Sequence, residues 1–166
     1  MRYNPPEVEL IVLPQKPVPM CDDDAVELSS QLCFATYAAA HAFTRFYKPL
    51  LEPLGLTYSQ YIVLLVLWET DNMTVKEIGR RLFLDSGTLT PLLKRLEAAG
   101  IVRRTRDARD ERLVRISLTP KGWDLQAPVA AVWRKMVCGT GLTMDEFNAL
   151  KEQLNQVRRK LDTARG

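Results

Sequence analysis

Apolar residues in the first part of the chain recur mainly every three or four positions, the spacing that predicts α-helices. The apolar positions of the first run are Val26, Leu32, Cys33, Tyr37, Ala40, Phe43 and Tyr47. Three aspartates precede this run and can cap a helix, so we predict a long first helix from Asp22 to about Leu51. Thr57 can cap a second helix from Tyr58 to about Glu69.

Two shorter helices are predicted next. Thr74-Val-Lys-Glu77 has the sequence of a capping box and opens a helix to about Leu82. Asp85–Ala99 predicts the following helix, with Gly100 as its C-terminal stop. The apolar stripe of that helix is Leu89, Leu92, Leu93 and Leu96, and its polar face is Ser86, Thr88, Thr90, Lys94 and Arg95.

A β-hairpin is predicted after these helices. Ile101–Arg106 and Arg112–Leu118 favour strands, and the polar segment 107–111 between them is typical of a turn. Two short helices, the second with a polar face, followed by a hairpin form a winged helix-turn-helix. The predicted fold class is therefore mainly α with a small β-wing.

Further helices are predicted after the hairpin. Thr119-Pro120 supplies a cap followed by proline at the first helical position, and Pro128 should bend or interrupt that helix. Gly139 and Gly141 are predicted to break the chain. Thr143–Glu146 is then a second capping box for a final helix that reaches nearly to the last residue.

Length and composition indicate one globular domain after an N-terminal arm. The chain has 166 residues, of which 46% are hydrophobic and 26% charged. Residues 1–21 contain five prolines, which predict an extended or disordered arm. No apolar run is long enough to span a bilayer, and the features of a signal peptide are missing, so we expect a cytoplasmic protein without membrane association.

Cysteine and histidine are too few and too scattered for a structural zinc site. The chain has three cysteines and one histidine, without a C-x-x-C motif, so we expect neither a metal nor another cofactor. In the cytosol such thiols begin reduced, and a disulfide between them would be regulatory rather than structural.

Positive charge is concentrated in the predicted recognition helix and hairpin. The net charge is only +3, but the segment from Lys94 to Arg115 has eight basic and four acidic residues, a local excess of +4. A local basic patch is typical of a surface that binds phosphates, although a solvated charged turn would look the same. A helix with small polar side chains fits the major groove of double-stranded DNA, and an arginine at the hairpin tip fits the minor groove.

The hairpin turn resembles the wing signature of MarR-type transcriptional regulators. It reads Asp107-x-Arg109-Asp110-x-Arg112, which matches D-x-R-D-x-R at each position. The resemblance implies that Arg112 enters the minor groove, that Arg109 belongs to the DNA-binding wing, and that Asp107 and Asp110 hold the wing arginines by ion pairing. The acids could equally be turn-formers. The main role expected of Asp85 is to cap the preceding recognition helix at its N-terminus.

The resemblance also implies a homodimer joined by the first and last helices. We expect residues 22–166 to form a single MarR-type domain. Within it, segments 22–56 and 119–166 would supply the dimerisation helices and 57–118 the winged helix-turn-helix. A symmetric dimer would bind a pseudo-palindrome with half-sites about 10 base pairs apart.

Several segments resemble the organic hydroperoxide resistance regulators, a redox-sensing branch of the MarR family. These segments are Leu32-Cys33-Phe34-Ala35-Thr36-Tyr37-Ala38, Tyr47-Lys48-Pro49-Leu50-Leu51, Thr57-Tyr58-x-Gln60-Tyr61 and Leu84-Asp85-Ser86-Gly87-Thr88-Leu89-Thr90-Pro91. The resemblance implies that Cys33 is a reactive thiolate, with Tyr47 and Tyr58 of the partner subunit as hydrogen-bond donors and Tyr37 nearby. It further implies that Cys138 forms an intersubunit disulfide with Cys33.

The predicted function is therefore a transcriptional repressor that organic hydroperoxide releases from operator DNA through oxidation of Cys33. Two alternatives stay open. The first is a MarR regulator gated by a small aromatic ligand, with passive cysteines, because a cysteine on an apolar helix face is usually a core residue. The second is a thiol peroxidase enzyme, for which the chain has no recognisable motif.

Overall fold

The computed structural model describes residues 27–164. Its α-helices are α1 Leu32–Leu51, α2 Tyr58–Glu69, α3 Val75–Leu82, α4 Ser86–Ala98, α5 Pro120–Asp124, α6 Gln126–Thr140 and α7 Met144–Ala164. The strands are β1 Met73–Thr74, β2 Val102–Arg106 and β3 Val114–Leu118. Short 3₁₀ turns occupy Leu28–Ser30 and Glu52–Leu54. Residues 27–38 belong to one compact unit and residues 39–164 to another.

A small antiparallel sheet follows the helix-turn-helix. The strand order is β1-β3-β2, and β2 pairs with β3 from Val102 opposite Leu118 to Arg106 opposite Val114. Strand β1 was not predicted, because two residues are too short to show an alternating pattern. Its pairing of Thr74 with Arg115 fixes the start of α3 to the base of the wing.

The core lies under the helix-turn-helix and the sheet. Its fully buried side chains include Leu51, Val63, Leu64, Leu67, Ile78, Leu89, Leu96 and Ile116. The leucines of α4 alternate with its polar positions at helical spacing, so packing of its apolar face leaves the opposite face in solvent. The predicted mainly α fold with a small β-wing is confirmed.

The predicted start of the first helix is wrong. The α-helix begins at Leu32, after a 3₁₀ turn in which the Ser30 hydroxyl donates to the Glu27 carbonyl oxygen at 2.8 Å. Serine side chains compete with helix formation through such local bonds. Gln31 then adopts an extended conformation and ends the turn. The predicted N-cap aspartates 22–24 lie outside the described residues.

The helices after the wing follow the sequence signals closely. α5 ends at Asp124, because Pro128 has no N–H to donate to the Asp124 carbonyl oxygen. Gly139 lies within α6, and therefore only Gly141, with φ of 70°, acts as the predicted break. The glycine at 139 instead allows close packing, since a Cβ there would lie 2.6 Å from the Phe46 ring.

Within residues 27–164, no single helix is long and apolar enough to cross a membrane. Only the combined helical segments Leu32–Leu54 and Tyr58–Glu69 reach the length and apolar composition of a membrane span, and they are bent by 73° relative to each other.

Candidate nucleic-acid interface and thiol sites

The helix-turn-helix is positioned by a capping box at the start of α3. The Thr74 backbone N–H donates to Glu77 Oε2 at 2.7 Å, and the Glu77 backbone N–H donates to Thr74 Oγ1 at 3.2 Å. The Thr74 N–H and, second, the Thr74 hydroxyl both donate to the Glu77 carboxylate and lower the pKa of that carboxyl. The backbone N–H groups of Thr74 and Glu77 thus find acceptors within the capping box, as the sequence predicts.

The turn between α3 and α4 brings two backbones together at Gly79. A Cβ at this position would lie 2.7 Å from the Leu84 carbonyl oxygen, so any other residue would push the turn open. The turn closes through Phe83, which has a left-handed conformation with φ of 56°, and the Leu84 N–H donates to the Gly79 carbonyl oxygen at 2.9 Å.

Asp85 caps α4 through its side chain. Its Oδ1 accepts from the Thr88 N–H at 2.8 Å, and its Oδ2 accepts from the Thr88 hydroxyl at 2.9 Å. The same bonds lower the pKa of Asp85. The Thr90 hydroxyl donates to the Ser86 carbonyl oxygen at 2.6 Å. The predicted capping by Asp85 is confirmed, and both threonine hydroxyls keep lone pairs that can accept.

Most of the predicted DNA-reading side chains are exposed. Ser86, Thr88, Lys94 and Arg95 of α4 are exposed, as are Arg109 and Arg112 of the wing. A groove of about 500 Å³ between α3, α4 and the wing brings Ser86, Thr90 and Arg112 together. This groove joins the two parts of the predicted interface.

Asp107 organises the wing in a different way from the predicted one. Its Oδ1 accepts from the backbone N–H groups of Arg109, at 2.8 Å, and Asp110, at 3.2 Å. Its Oδ2 forms an ion pair with Arg115. These bonds, the Arg109 N–H first and Arg115 second, lower the pKa of Asp107. Asp107 therefore shapes the turn through the backbone and pairs with a strand arginine rather than with Arg109 or Arg112.

Asp110 is a turn-former. Its Oδ1 accepts from the Arg112 backbone N–H at 3.0 Å, and the expected ion pair with a wing arginine is not formed within the described residues. Arg109 and Arg112 are both exposed. Sequence reasoning missed Arg115, which also donates to the Asn72 carbonyl oxygen at 2.8 Å, because its partners lie eight and 43 residues away.

Three tyrosines form a cluster around the end of α1 and the start of α2. The Tyr47 ring centroid lies 4.9 Å from that of Tyr58 and 5.2 Å from that of Tyr61. Burial, and then the neighbouring phenol of Tyr61, raise the pKa of Tyr47. Tyr61 was not predicted as a site residue, but it shares a hydrogen bond with Tyr47. Tyr37 is exposed and belongs to the unit that contains Cys33.

The two candidate redox thiols are both free and exposed. Cys33 is the second residue of α1, and Cys138 lies in the last turn of α6, three residues before Gly141. They belong to different units of the chain. Next to Cys138, Gly139 and Phe46 border an apolar cavity of about 260 Å³.

The described residues contain no cluster of histidine, cysteine and carboxylate side chains that could hold a metal ion.

Comparisons with known proteins place this architecture in a family. The family model of the SarA/Rot transcriptional regulators matches residues 45–127. The chain is 57% identical over 144 residues to the HTH-type transcriptional regulator TtmR of Methylorubrum extorquens, covering 87% of this chain and 74% of the relative. It is 54% identical over 99 residues to the organic hydroperoxide resistance transcriptional regulator of Bacillus subtilis, covering 60% of this chain and 67% of the relative.

Solved structures of AbfR of Staphylococcus epidermidis are also similar. The reduced form bound to DNA has a TM-score of 0.67 and 43% identity, over 81% of this chain and 93% of that chain. The disulfide-formed protein has a TM-score of 0.57 and 42% identity, over 78% of this chain and 91% of that chain.

The fold and the basic, groove-forming surface define a winged helix-turn-helix transcriptional regulator. The chain belongs to the SarA/Rot-type family of MarR-like transcriptional regulators. The predicted resemblance to the MarR family and its hydroperoxide-regulator branch is confirmed. The relatives are named transcriptional regulators, which supports a DNA-binding regulator rather than the thiol peroxidase alternative.

Proposed function

We propose that this chain is a dimeric repressor that releases its operator DNA when organic hydroperoxide oxidises Cys33. The observation that carries the proposal is the 54% identity to a regulator named for organic hydroperoxide resistance. It is supported by two exposed, free thiols at the predicted positions.

DNA binding follows from the surface of α4 and the wing. The exposed polar face of α4 enters the major groove, where Ser86, Thr88 and Thr90 reach base edges and Lys94 and Arg95 contact phosphates. Arg112, fixed at its backbone by Asp110, enters the minor groove. The relative AbfR was solved bound to DNA in its reduced form, which supports this arrangement.

A second copy of the chain covers the apolar stripe of α7. Its exposed members, at spacings of four and three, are Leu150, Leu154, Val157 and Leu161. None of the residues of α7 is buried in the single chain. A continuous stripe of large apolar side chains on a helix is typical of an interface. The first turns of α1, where Leu32 and Tyr37 are also more than 60% exposed, would join it.

The redox step balances with the peroxide as sole oxidant. The Cys33 thiolate attacks the OH-bearing oxygen of the peroxide, so that an S–O bond forms, the O–O bond breaks and Cys33 becomes a sulfenic acid, while the departing alkoxide takes a proton to become an alcohol. The Cys138 thiol of the partner subunit then attacks the Cys33 sulfenic acid, forming the disulfide and releasing water. A disulfide requires Cα atoms within about 7 Å, so this step positions α6 against the partner's α1.

The tyrosine cluster supplies donors for the thiolate. A phenol with a raised pKa stays protonated, so Tyr58 can donate to an anionic sulfur of the partner subunit, and Tyr47 can donate when its hydroxyl turns from Tyr61 to that sulfur. Tyr37 is close in sequence to Cys33 and assists from the same helix. The aromatic rings also suit an organic peroxide better than hydrogen peroxide.

The test measures DNA release upon oxidation. Reduced protein first selects its operator from a random DNA library, and binding is then measured before and after cumene hydroperoxide. We expect wild type to lose the operator and Cys33→Ser to keep it. Cys21→Ser, which removes the third cysteine of the chain, is the control and should lose the operator like wild type. Release of Cys33→Ser as readily as wild type would refute the redox mechanism.

The cavity beside Cys138 favours one other candidate function, gating by a small aromatic ligand. Its walls are mainly apolar: Ala39, Ala42, Phe43, Phe46, Met136, Gly139 and Thr140. A ligand-gated regulator would release DNA without an oxidant, when an aromatic acid such as salicylate is added. Release by salicylate in Cys33→Ser, with no response of wild type to peroxide, would support this candidate instead.

A further inference from the structure

The turn of the helix-turn-helix contains a strained aromatic residue. Phe83 has φ of 56°, a left-handed conformation in which a bulky side chain is an outlier, and its side chain is 65% exposed. Glycine or asparagine satisfies such a position without strain. Burial in the core of the single chain does not account for the phenylalanine.

The ring of Phe83 contacts the C-terminal helix. The guanidinium carbon of Arg158, in α7, lies 4.1 Å from the centroid of the ring, within the range of a cation–π interaction. Arg158 also donates to Asp162 Oδ2 at 3.0 Å, while its Nε is buried without a hydrogen-bond acceptor among the described residues. A guanidinium with an unbonded Nε is consistent with a partner that offers a π face instead.

We propose that Phe83 and Arg158 are positioning residues that hold the turn between α3 and α4 against α7. Asp85, which caps α4, lies two residues after Phe83, so the contact acts directly on the start of the recognition helix. α7 has no buried residue of its own, so few contacts hold it to the rest of the chain. The contact lets the arrangement of α7 influence how α4 meets DNA. The inference rests on the proposed function only in taking operator DNA as the ligand.

The first test uses amide hydrogen exchange of the protein without DNA or oxidant. We expect Arg158→Ala to speed exchange at Leu84 and in the first turn of α4 about two- to fivefold, the range of an exposed cation–π contact. Arg159→Ala is the matched control, because Arg159 is the next residue, has the same charge and is bonded to Glu152 at 2.5 Å. Equal exchange in the two variants would overturn the proposal.

A double-mutant cycle separates the contact from general loosening. Phe83→Gly removes the ring and relieves the positive φ, so the turn can still form. In that background Arg158→Ala should have no further effect on exchange. An undiminished effect of Arg158→Ala in the Phe83→Gly background would contradict the inference.

The functional test measures affinity of the reduced protein for its selected operator. We expect Arg158→Ala to weaken binding about two- to fivefold and Arg159→Ala, which loses the same charge, to leave it unchanged. Equal effects of both variants would show a charge effect and refute the positioning role. Because no oxidant is used, failure of the redox mechanism would leave this measurement readable.

Discussion

The winged helix-turn-helix and helix α7 differ in how much of their apolar surface is buried within a single chain. α2 buries Val63, Leu64 and Leu67 completely, whereas α7, with 21 residues, buries none. Both helices begin with the same kind of capping box. The local sequence signals for helix formation are therefore equally strong in α2 and α7, and the two helices differ in their tertiary packing. The winged helix-turn-helix thus buries its own apolar side chains, whereas α7 leaves its apolar stripe exposed in the single chain.

The largest expected effect is loss of a core leucine. Leu64→Ala should lower the free energy of unfolding by about 2–5 kcal/mol, because it leaves a cavity in a fully buried site. Leu154→Ala, at a residue 48% exposed on α7, should change the unfolding of the dilute monomer by less than about 1 kcal/mol. Urea unfolding measures both. Similar decreases in the free energy of unfolding for the two variants would contradict the proposed difference in packing between the winged helix-turn-helix and α7.

A charge on the α7 stripe should act on assembly instead. Leu154→Asp would bury a carboxylate in the proposed dimer interface, so we expect the dimer dissociation constant to rise about a hundredfold. Sedimentation equilibrium measures this change. Gln153→Asp adds the same charge one position away, off the stripe, and should leave assembly nearly unchanged. A dimer of unaltered strength in Leu154→Asp would place the interface elsewhere.

Within the wing, Asp107→Asn should weaken operator binding about tenfold, as expected for a misplaced base-contacting arginine. The neutral amide accepts more weakly from the Arg109 N–H and leaves Arg115 without its ion pair. Binding should be compared with Asp110→Asn, which has no ion pair to lose. Equal binding by wild type and Asp107→Asn would exclude a supporting role.

The same residue sets a pH dependence. The pKa of Asp107 is lowered from 3.8 in the folded chain, so its contribution is complete above that value and is lost as the pH falls through the lower folded pKa. Protection of the wing amides, taken relative to the intrinsic exchange rate at each pH, should thus be kept at pH 5 and fall only below about pH 4. Wing opening already near pH 6 would assign the order of the wing to another group.

The smallest effects come from the capping boxes. Thr57→Ala should cost about 1 kcal/mol of global stability, because α2 is part of the core. Thr143→Ala removes the corresponding cap of α7, where the Thr143 N–H donates to Glu146 Oε2 at 2.7 Å. We expect it to increase fraying of α7 with little change in global unfolding. Equal global losses would show that α7 unfolds together with the core.

Much of the fold could be predicted because its signals are local. Thr74 and Glu77, three residues apart, satisfy each other's amides, and the Asp85 cap requires only its own first turn. The start of α1 was missed because the bonds of Ser30 compete with helix formation, which periodicity does not register. Among the site residues, the ion pair of Asp107 with Arg115 depends on strand register, so the sequence alone favoured the nearer arginines.

The positive φ of Phe83 was equally hidden. Its residue type argues against a left-handed turn, and its contact with Arg158 spans 75 positions of the chain. The intersubunit pairing of Cys33 with Cys138 came only from resemblance and remains a proposal. Long-range contacts and contacts between chains are thus where sequence reasoning stops.

The most direct test of the redox proposal is a mixing experiment in a Cys21→Ser background. Cys33→Ser and Cys138→Ser chains are mixed, allowed to exchange subunits and treated with cumene hydroperoxide, and covalent dimers are measured on a non-reducing gel. We predict a covalent dimer in the mixture and in neither variant alone, because only the mixed dimer pairs Cys33 of one chain with Cys138 of the other. A covalent dimer in the parent protein but none in the fully exchanged mixture would contradict the proposed intersubunit disulfide.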